Sequence, residues 1–113
     1  SQVILELAQM GPCIIVGRCA DVVLRAAGIP TVSLFICAPF EDRVRRRMEI
    51  EGIGQKESED AVRKIDKQRK KYYDTYTGRN WGAPENYDFC INSSVMGIEG
   101  TAEQIITWAR GTW

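Results

Sequence analysis

The chain has 113 residues, with 15 basic and 15 acidic side chains, no histidine, 44% hydrophobic residues and 27% charged ones. This composition is that of a single globular domain and excludes a disordered tail, a collagen-like rod and a small disulfide scaffold. The lack of histidine excludes Ser-His-Asp hydrolysis and histidine-bound zinc within this chain.

In chain order, Val3, Ile4, Leu7 and Ala8 predict a helix over residues 1–10, stopped by Gly11-Pro12. Cys13-Ile14-Ile15-Val16 is a continuous apolar run before Gly17, the pattern of a strand buried on both faces. Helical spacing returns over residues 19–27 and stops at Gly28-Ile29-Pro30, and residues 31–37 read as a second buried strand. Pro39 reads as the first helical residue of a segment carrying Phe40, Val44 and Met48 and ending near Gly52 and Gly54. A long helix is expected from about Lys56 to Tyr76, with Val62, Ile65, Tyr72 and Tyr76 on its apolar side. Residues 78–86 form a loop by composition, and residues 87–91 are the third strand. Thr101-Ala102-Glu103-Gln104 reads as a capping box opening a closing helix. The expected fold is α/β, a parallel sheet with flanking helices, in one domain over residues 1–113.

Cys13, Cys19, Cys37 and Cys90 show no Cys-x-x-Cys spacing, which fits a reduced, cytoplasmic protein and no metal site. Cys19, beside Arg18 at a helix start, is the cysteine whose position favours a lowered pKa, although structural use suits all four. No apolar stretch is long enough to span a membrane, and the first residues lack the basic start of a signal peptide.

Basic residues concentrate between Glu41 and Lys71, where 11 stand against 8 acidic ones, an excess of three. In an open parallel sheet, ligands bind beyond the carboxyl ends of the strands, so the residues after each strand are the candidate site. After the first run, Arg18 can grip a phosphate bidentately while Asp21 accepts a hydrogen bond from a sugar or base. The alternative is a surface arginine and a first-turn cap. After the second strand come Arg43, Arg45, Arg46 and Arg47; Arg43, Arg46 and Arg47 share one helical face and suit phosphate, whereas Arg45 points elsewhere and reads as solvated. Asp66, Arg69 and Tyr73 lie along one face of the long helix, as a cleft wall or an ordinary ion pair would. Trp81, between Asn80 and Gly82 in the aromatic loop, suits either base stacking or anchorage. Near-neutral charge argues against nucleic acid as the partner.

The strings GPCIIVGRCADVVL, FICAPFEDRVRRRM, KIDKQRKKYYDTYTGRNWG and YDFCINSS together resemble the cytidylate kinase-like family of P-loop kinases, over nearly the whole chain. The resemblance implies transfer of the ATP γ-phosphoryl, with Mg²⁺, to a pyrimidine monophosphate such as CMP or dCMP. It implies acceptor-binding roles for Arg18, Asp21, Asp66, Arg69 and Tyr73, and catalytic roles for Arg43, Arg46 and Arg47 in a lid-like helical region at about residues 41–80. Relative to the family pattern, Asp21 is displaced by two residues and the Asp66–Tyr73 helix is rich in lysine and tyrosine. No Gly-x-x-x-x-Gly-Lys-[Ser/Thr] motif occurs here. The expectation is therefore a C-terminal portion of a kinase domain, its P-loop strand missing from between residues 13–16 and 31–37. An upstream segment or a second copy would complete the sheet. The rival expectation is a non-catalytic nucleotide- or RNA-binding module.

Overall fold

A computed structural model describes residues 2–17 and 19–112. It is a mixed structure of five helices, a 3-10 turn and a two-stranded parallel sheet. The elements are α1 (Gln2–Gln9), α2 (Ala20–Ala26), β1 (Leu34–Cys37), α3 (Phe40–Glu51), α4 (Gln55–Thr77), a 3-10 turn (Pro84–Asn86), β2 (Phe89–Asn92) and α5 (Gly97–Thr112). None of these helices is long and apolar enough to cross a membrane.

The described residues group into two compact units. One holds residues 1–33 and 67–88, the other residues 34–66 and 89–113, and α4 supplies its second half to the former and its first half to the latter.

In the first unit α1 packs on α2. Helix α2 ends where the N–H groups of Gly28 and Ile29 bond back to the carbonyls of Arg25 and Leu24, with Gly28 at φ 72°, a conformation that costs glycine little. Ala20, Leu24 and Tyr73 are its buried hydrophobic side chains. A polar brace joins distant segments. Asp88 accepts from the backbone N–H of Ser33 at 2.7 Å and from Arg25, its own N–H donates to the Ser33 carbonyl at 2.9 Å, and the Ser33 hydroxyl donates to Asp21 at 2.8 Å.

In the second unit β1 and β2 pair in parallel, with Leu34 opposite Phe89, Phe35 opposite Cys90, Ile36 opposite Ile91 and Cys37 opposite Asn92. Phe89 meets Trp108 of α5 edge-on, ring centroids 5.1 Å apart. Glu41 and Asp42 in the first turn of α3 favour its positive end, and Gly52 at φ 65° closes it by donating to the Met48 carbonyl. Val44 and Val62 are buried, and the fully buried Ser58 donates to the Val44 carbonyl at 2.8 Å, tying α4 to α3.

Four expectations need correction. The strand expected at residues 13–16 does not form; Ile14 and Val16 are 95% and 89% exposed, and no described strand pairs with the run, so its backbone has no ladder to join. Among the described residues there are two strands rather than three, and both are half exposed rather than buried on both faces. Pro39 is the residue before α3 rather than its first helical residue. Thr101 is not a cap: α5 begins at Gly97, and the Thr101 hydroxyl bonds back to the Gly97 carbonyl at 2.7 Å inside the helix.

Candidate functional site

β1 ends at Cys37, and after two intervening residues α3 begins, so its arginines follow the carboxyl end of a parallel strand. Arg43 is the most constrained. Its Nε donates to the Ala38 carbonyl at 3.0 Å and its Nη1 donates to both oxygens of Asp66, at 2.9 and 2.8 Å. The Phe40 ring has the guanidinium carbons of Arg43 and Arg63 at 5.9 and 4.9 Å from its centroid, a cation–π arrangement with two cations on one ring.

The other arginines of α3 divide by partner. Arg47 is held by Glu51 in a two-point contact at 2.9 and 3.3 Å, and Arg45 is exposed and paired with Asp42 at 3.2 Å. Arg46 is exposed and has no ion-pair partner among the described residues. Of the three α3 arginines expected to meet phosphate, Arg43 and Arg47 are therefore engaged with carboxylates and Arg46 has no ion-pair partner among the described residues. Arg63, absent from the sequence-based site, joins the cluster through Phe40. The i,i+4 spacing from Glu59 in the sequence signals only a helical pair, which here is long, at 3.7 Å.

On the acceptor side, Arg18 lies outside the described residues. Asp21 is half-buried in the first turn of α2 and is held by Ser33. Asp66 is bonded to Arg43. Arg69 is exposed, without an ion-pair partner among the described residues. Tyr73 is buried, its ring 6.1 Å from that of Tyr87, and its hydroxyl has no hydrogen-bond partner among the described residues. Tyr72 does not share that environment. It is 38% exposed and lies against the exposed Tyr76 at a centroid distance of 4.6 Å, because adjacent helical residues are turned about 100° apart. Gln68, Lys71, Tyr72, Thr75 and Tyr76 line a shallow groove of about 300 Å³.

The aromatic loop is fixed by its backbone. Asp74 accepts from the Trp81 N–H at 2.8 Å, the Gly82 N–H donates to the Tyr87 hydroxyl at 3.2 Å, and the Asn86 amide donates to the Asn80 carbonyl at 2.7 Å. The hydrogen bond from Lys70, then that from Trp81, holds the Asp74 carboxyl below its ordinary range. Burial pushes the Tyr87 hydroxyl up to about 12 against the pull of the Gly82 hydrogen bond. Cys19 goes opposite to the expectation from its place at a helix start: burial first, and then the Asp21 carboxylate, raise its thiol, so it is not an activated nucleophile. Among the described residues no group of three histidine, cysteine or carboxylate side chains is placed to hold a metal ion.

A small parallel sheet, flanking helices and arginines just beyond a strand's carboxyl end define a mixed helix-and-strand protein. The chain belongs to the cytidylate kinase-like family, whose model matches residues 1–95. It is also similar to the crystal structure of an uncharacterized protein from Eubacterium ventriosum ATCC 27560, with 27% identity and a TM-score of 0.80. That likeness covers 97% of this chain and 62% of the other, so this chain spans less than two thirds of its relative's length. The comparison with curated proteins returned no match.

Proposed function

We propose that this chain is the C-terminal part of a cytoplasmic P-loop nucleoside monophosphate kinase that transfers the ATP γ-phosphoryl to a pyrimidine monophosphate such as CMP or dCMP. The observation that carries the reading is the placement of Arg43, Arg46 and Arg47 on α3, immediately beyond the carboxyl end of β1, with Arg43 and Arg63 meeting at the Phe40 ring. Membership of the family supports the kinase relationship. Phosphoryl transfer rests on positioning and charge neutralisation, which guanidiniums supply without acid or base chemistry, and this suits a chain without histidine. On this reading Arg43, Arg46 and Arg47 neutralise the transferring phosphates. The family resemblance assigns acceptor-binding roles to Arg18, Asp21, Asp66, Arg69 and Tyr73, and Mg²⁺ arrives with ATP as part of the co-substrate.

The donor phosphates require a glycine-rich backbone cradle that ends in a Gly-Lys pair, and no such motif occurs in the sequence here. An upstream segment, or the same segment of a second copy, supplies it and pairs with the exposed run at residues 13–16. The test is acceptor-dependent ADP release with CMP, dCMP, UMP and AMP, comparing the 113-residue chain with the full-length encoded protein. The full-length protein is expected to turn over a pyrimidine monophosphate and the shorter chain none. Turnover by the shorter chain alone at ordinary kinase rates overturns the need for a completing segment. A full-length protein that phosphorylates no monophosphate overturns the kinase reading.

One observation favours the second reading, a non-catalytic nucleotide- or RNA-binding module: the exposed Tyr72–Tyr76 pair beside Lys71 offers flat faces next to a cation. RNA binding there would weaken steeply as salt rises, whereas acceptor-dependent turnover would not follow that slope.

A further inference from the structure

Arg43 and Asp66, which the family pattern assigns to different ligands, are bonded to each other. The Arg43 guanidinium is held from two sides: Nε by the Ala38 carbonyl that follows β1, and Nη1 by both carboxylate oxygens of Asp66 from α4. Three hydrogen bonds on a planar group fix both its place and its rotation. The two N–H groups on Nη2 are left without a partner among the described residues, and they are an intact donor pair. Both side chains keep about a third of their exposure, 37% and 31%, so the pair is screened and adds little to stability as a surface ion pair. What it does add is order. An arginine normally loses side-chain freedom when it grips a phosphate, and Arg43 has lost that freedom beforehand.

We infer that Asp66 is a positioning residue, which holds Arg43 so that Nη2 is presented to a phosphoryl oxygen, and that it does not itself touch the acceptor nucleotide. This rests on the kinase reading above and changes one part of it. A carboxylate that contacted the acceptor sugar would act on acceptor affinity and on the choice between ribose and deoxyribose. A carboxylate that acts through Arg43 acts on the chemical step, because electrostatic stabilisation realised in the transition state raises kcat rather than lowering KM.

The experiment uses the full-length protein with Asp66→Ala, Asp66→Asn, Arg43→Ala and the Asp66→Ala/Arg43→Ala double variant. Steady-state kinetics are measured with CMP and dCMP, and the exchange of the Arg43 Nε–H is followed by nitrogen-15 NMR. Asp66→Ala is expected to lower kcat by about tenfold to a hundredfold, with acceptor KM within about threefold and the CMP/dCMP ratio unchanged. The double variant should match Arg43→Ala alone, since the two residues act as one unit. The Arg43 Nε–H should exchange faster once Asp66 is removed. Asp66→Asn keeps the shape and one acceptor oxygen, so it should show the same pattern at smaller size if Asp66→Ala folds poorly.

A tenfold rise in acceptor KM with kcat retained, a shifted CMP/dCMP ratio, or additive losses in the double variant would overturn the inference. Unchanged Nε–H exchange would do the same. A parent protein that phosphorylates no monophosphate overturns the kinase reading instead, and the Nε–H exchange still reads whether Asp66 holds Arg43.

Discussion

Residues 13–16, Cys-Ile-Ile-Val, and residues 34–37, Leu-Phe-Ile-Cys, are apolar runs of nearly the same chemistry, yet only the second is a strand. β1 has a partner in β2 with four residues in register, and the backbone polar groups along that edge are satisfied. The first run has no such partner among the described residues, and its isoleucine and valine side chains at 14 and 16 stand in solvent. Composition marks a run as able to be a strand; a ladder supplied from elsewhere makes it one.

The sharpest way to break this comparison is a matched pair of charge insertions in the 113-residue chain. Ile91, half-buried and opposite Ile36, should cost about 2–3 kcal/mol when changed to Asp, because a carboxylate would be placed on the packed strand pair. Ile14→Asp should stay within about 0.5 kcal/mol, as other exposed substitutions do. Urea denaturation reads both. In the full-length protein the cost of Ile14→Asp should climb towards that of Ile91→Asp, since the run then has a neighbour. Equal costs in the 113-residue chain would show that residues 13–16 are already packed.

A smaller effect tests what precedes each strand. Ser33 and Asp88 stand immediately before β1 and β2 and brace each other through the Asp88 carboxylate and the two backbone bonds, with Arg25 on the same carboxylate. Among the described residues, the run at residues 13–16 has a long side-chain contact from the Cys13 thiol to the Leu7 carbonyl at 3.9 Å. Asp88→Ala should cost about 1 kcal/mol, mainly from the Ser33 N–H left unpaired, since the exposed Arg25 pair contributes little. Asp88→Asn should recover part of this. A loss confined to low-salt conditions would place the effect in the ion pair instead.

The same contrast explains how much was legible in the sequence. Helices α3 and α4 were readable because their signals are local: acidic residues in the first turn, four-residue apolar spacing, and a glycine at φ 65° to end α3. The family was readable because its strings run along most of the chain. The arginine cluster was readable in position but not in partnership. Nothing in the local sequence tells that Asp66, 23 residues on, binds Arg43, or that Phe40 gathers Arg63. Thr101 misled because a hydroxyl followed by Gln three residues later has the pattern of a capping box, whereas Gly97 at φ 74° lets α5 start a turn earlier. At Cys19 a helix start favours a lowered thiol pKa, but burial and Asp21 outweigh it, in keeping with the structural use expected of all four cysteines.

The smallest effect is a pH dependence confined to the braced side. Tyr87 directly precedes Asp88, and burial raises its hydroxyl to about 12 while an unfolded tyrosine ionises near 10. A group whose folded pKa is raised favours the folded state while it remains protonated, so its contribution is fully present below about pH 10. As pH climbs from 10 towards 12, the unfolded chain ionises first and stability falls. Comparison with Tyr87→Phe isolates this from the lysines that titrate over the same range. At pH 7–9 the parent should be the more stable by the worth of the Gly82 hydrogen bond, about 1 kcal/mol. That advantage should shrink between pH 10 and 12 in urea melts. The exchange of the residue 14–16 amides, corrected for intrinsic base catalysis, should not change over the same interval, because no described ladder protects them at any pH. An advantage that holds constant to pH 12 would mean that Tyr87 is no more buried than in the unfolded chain.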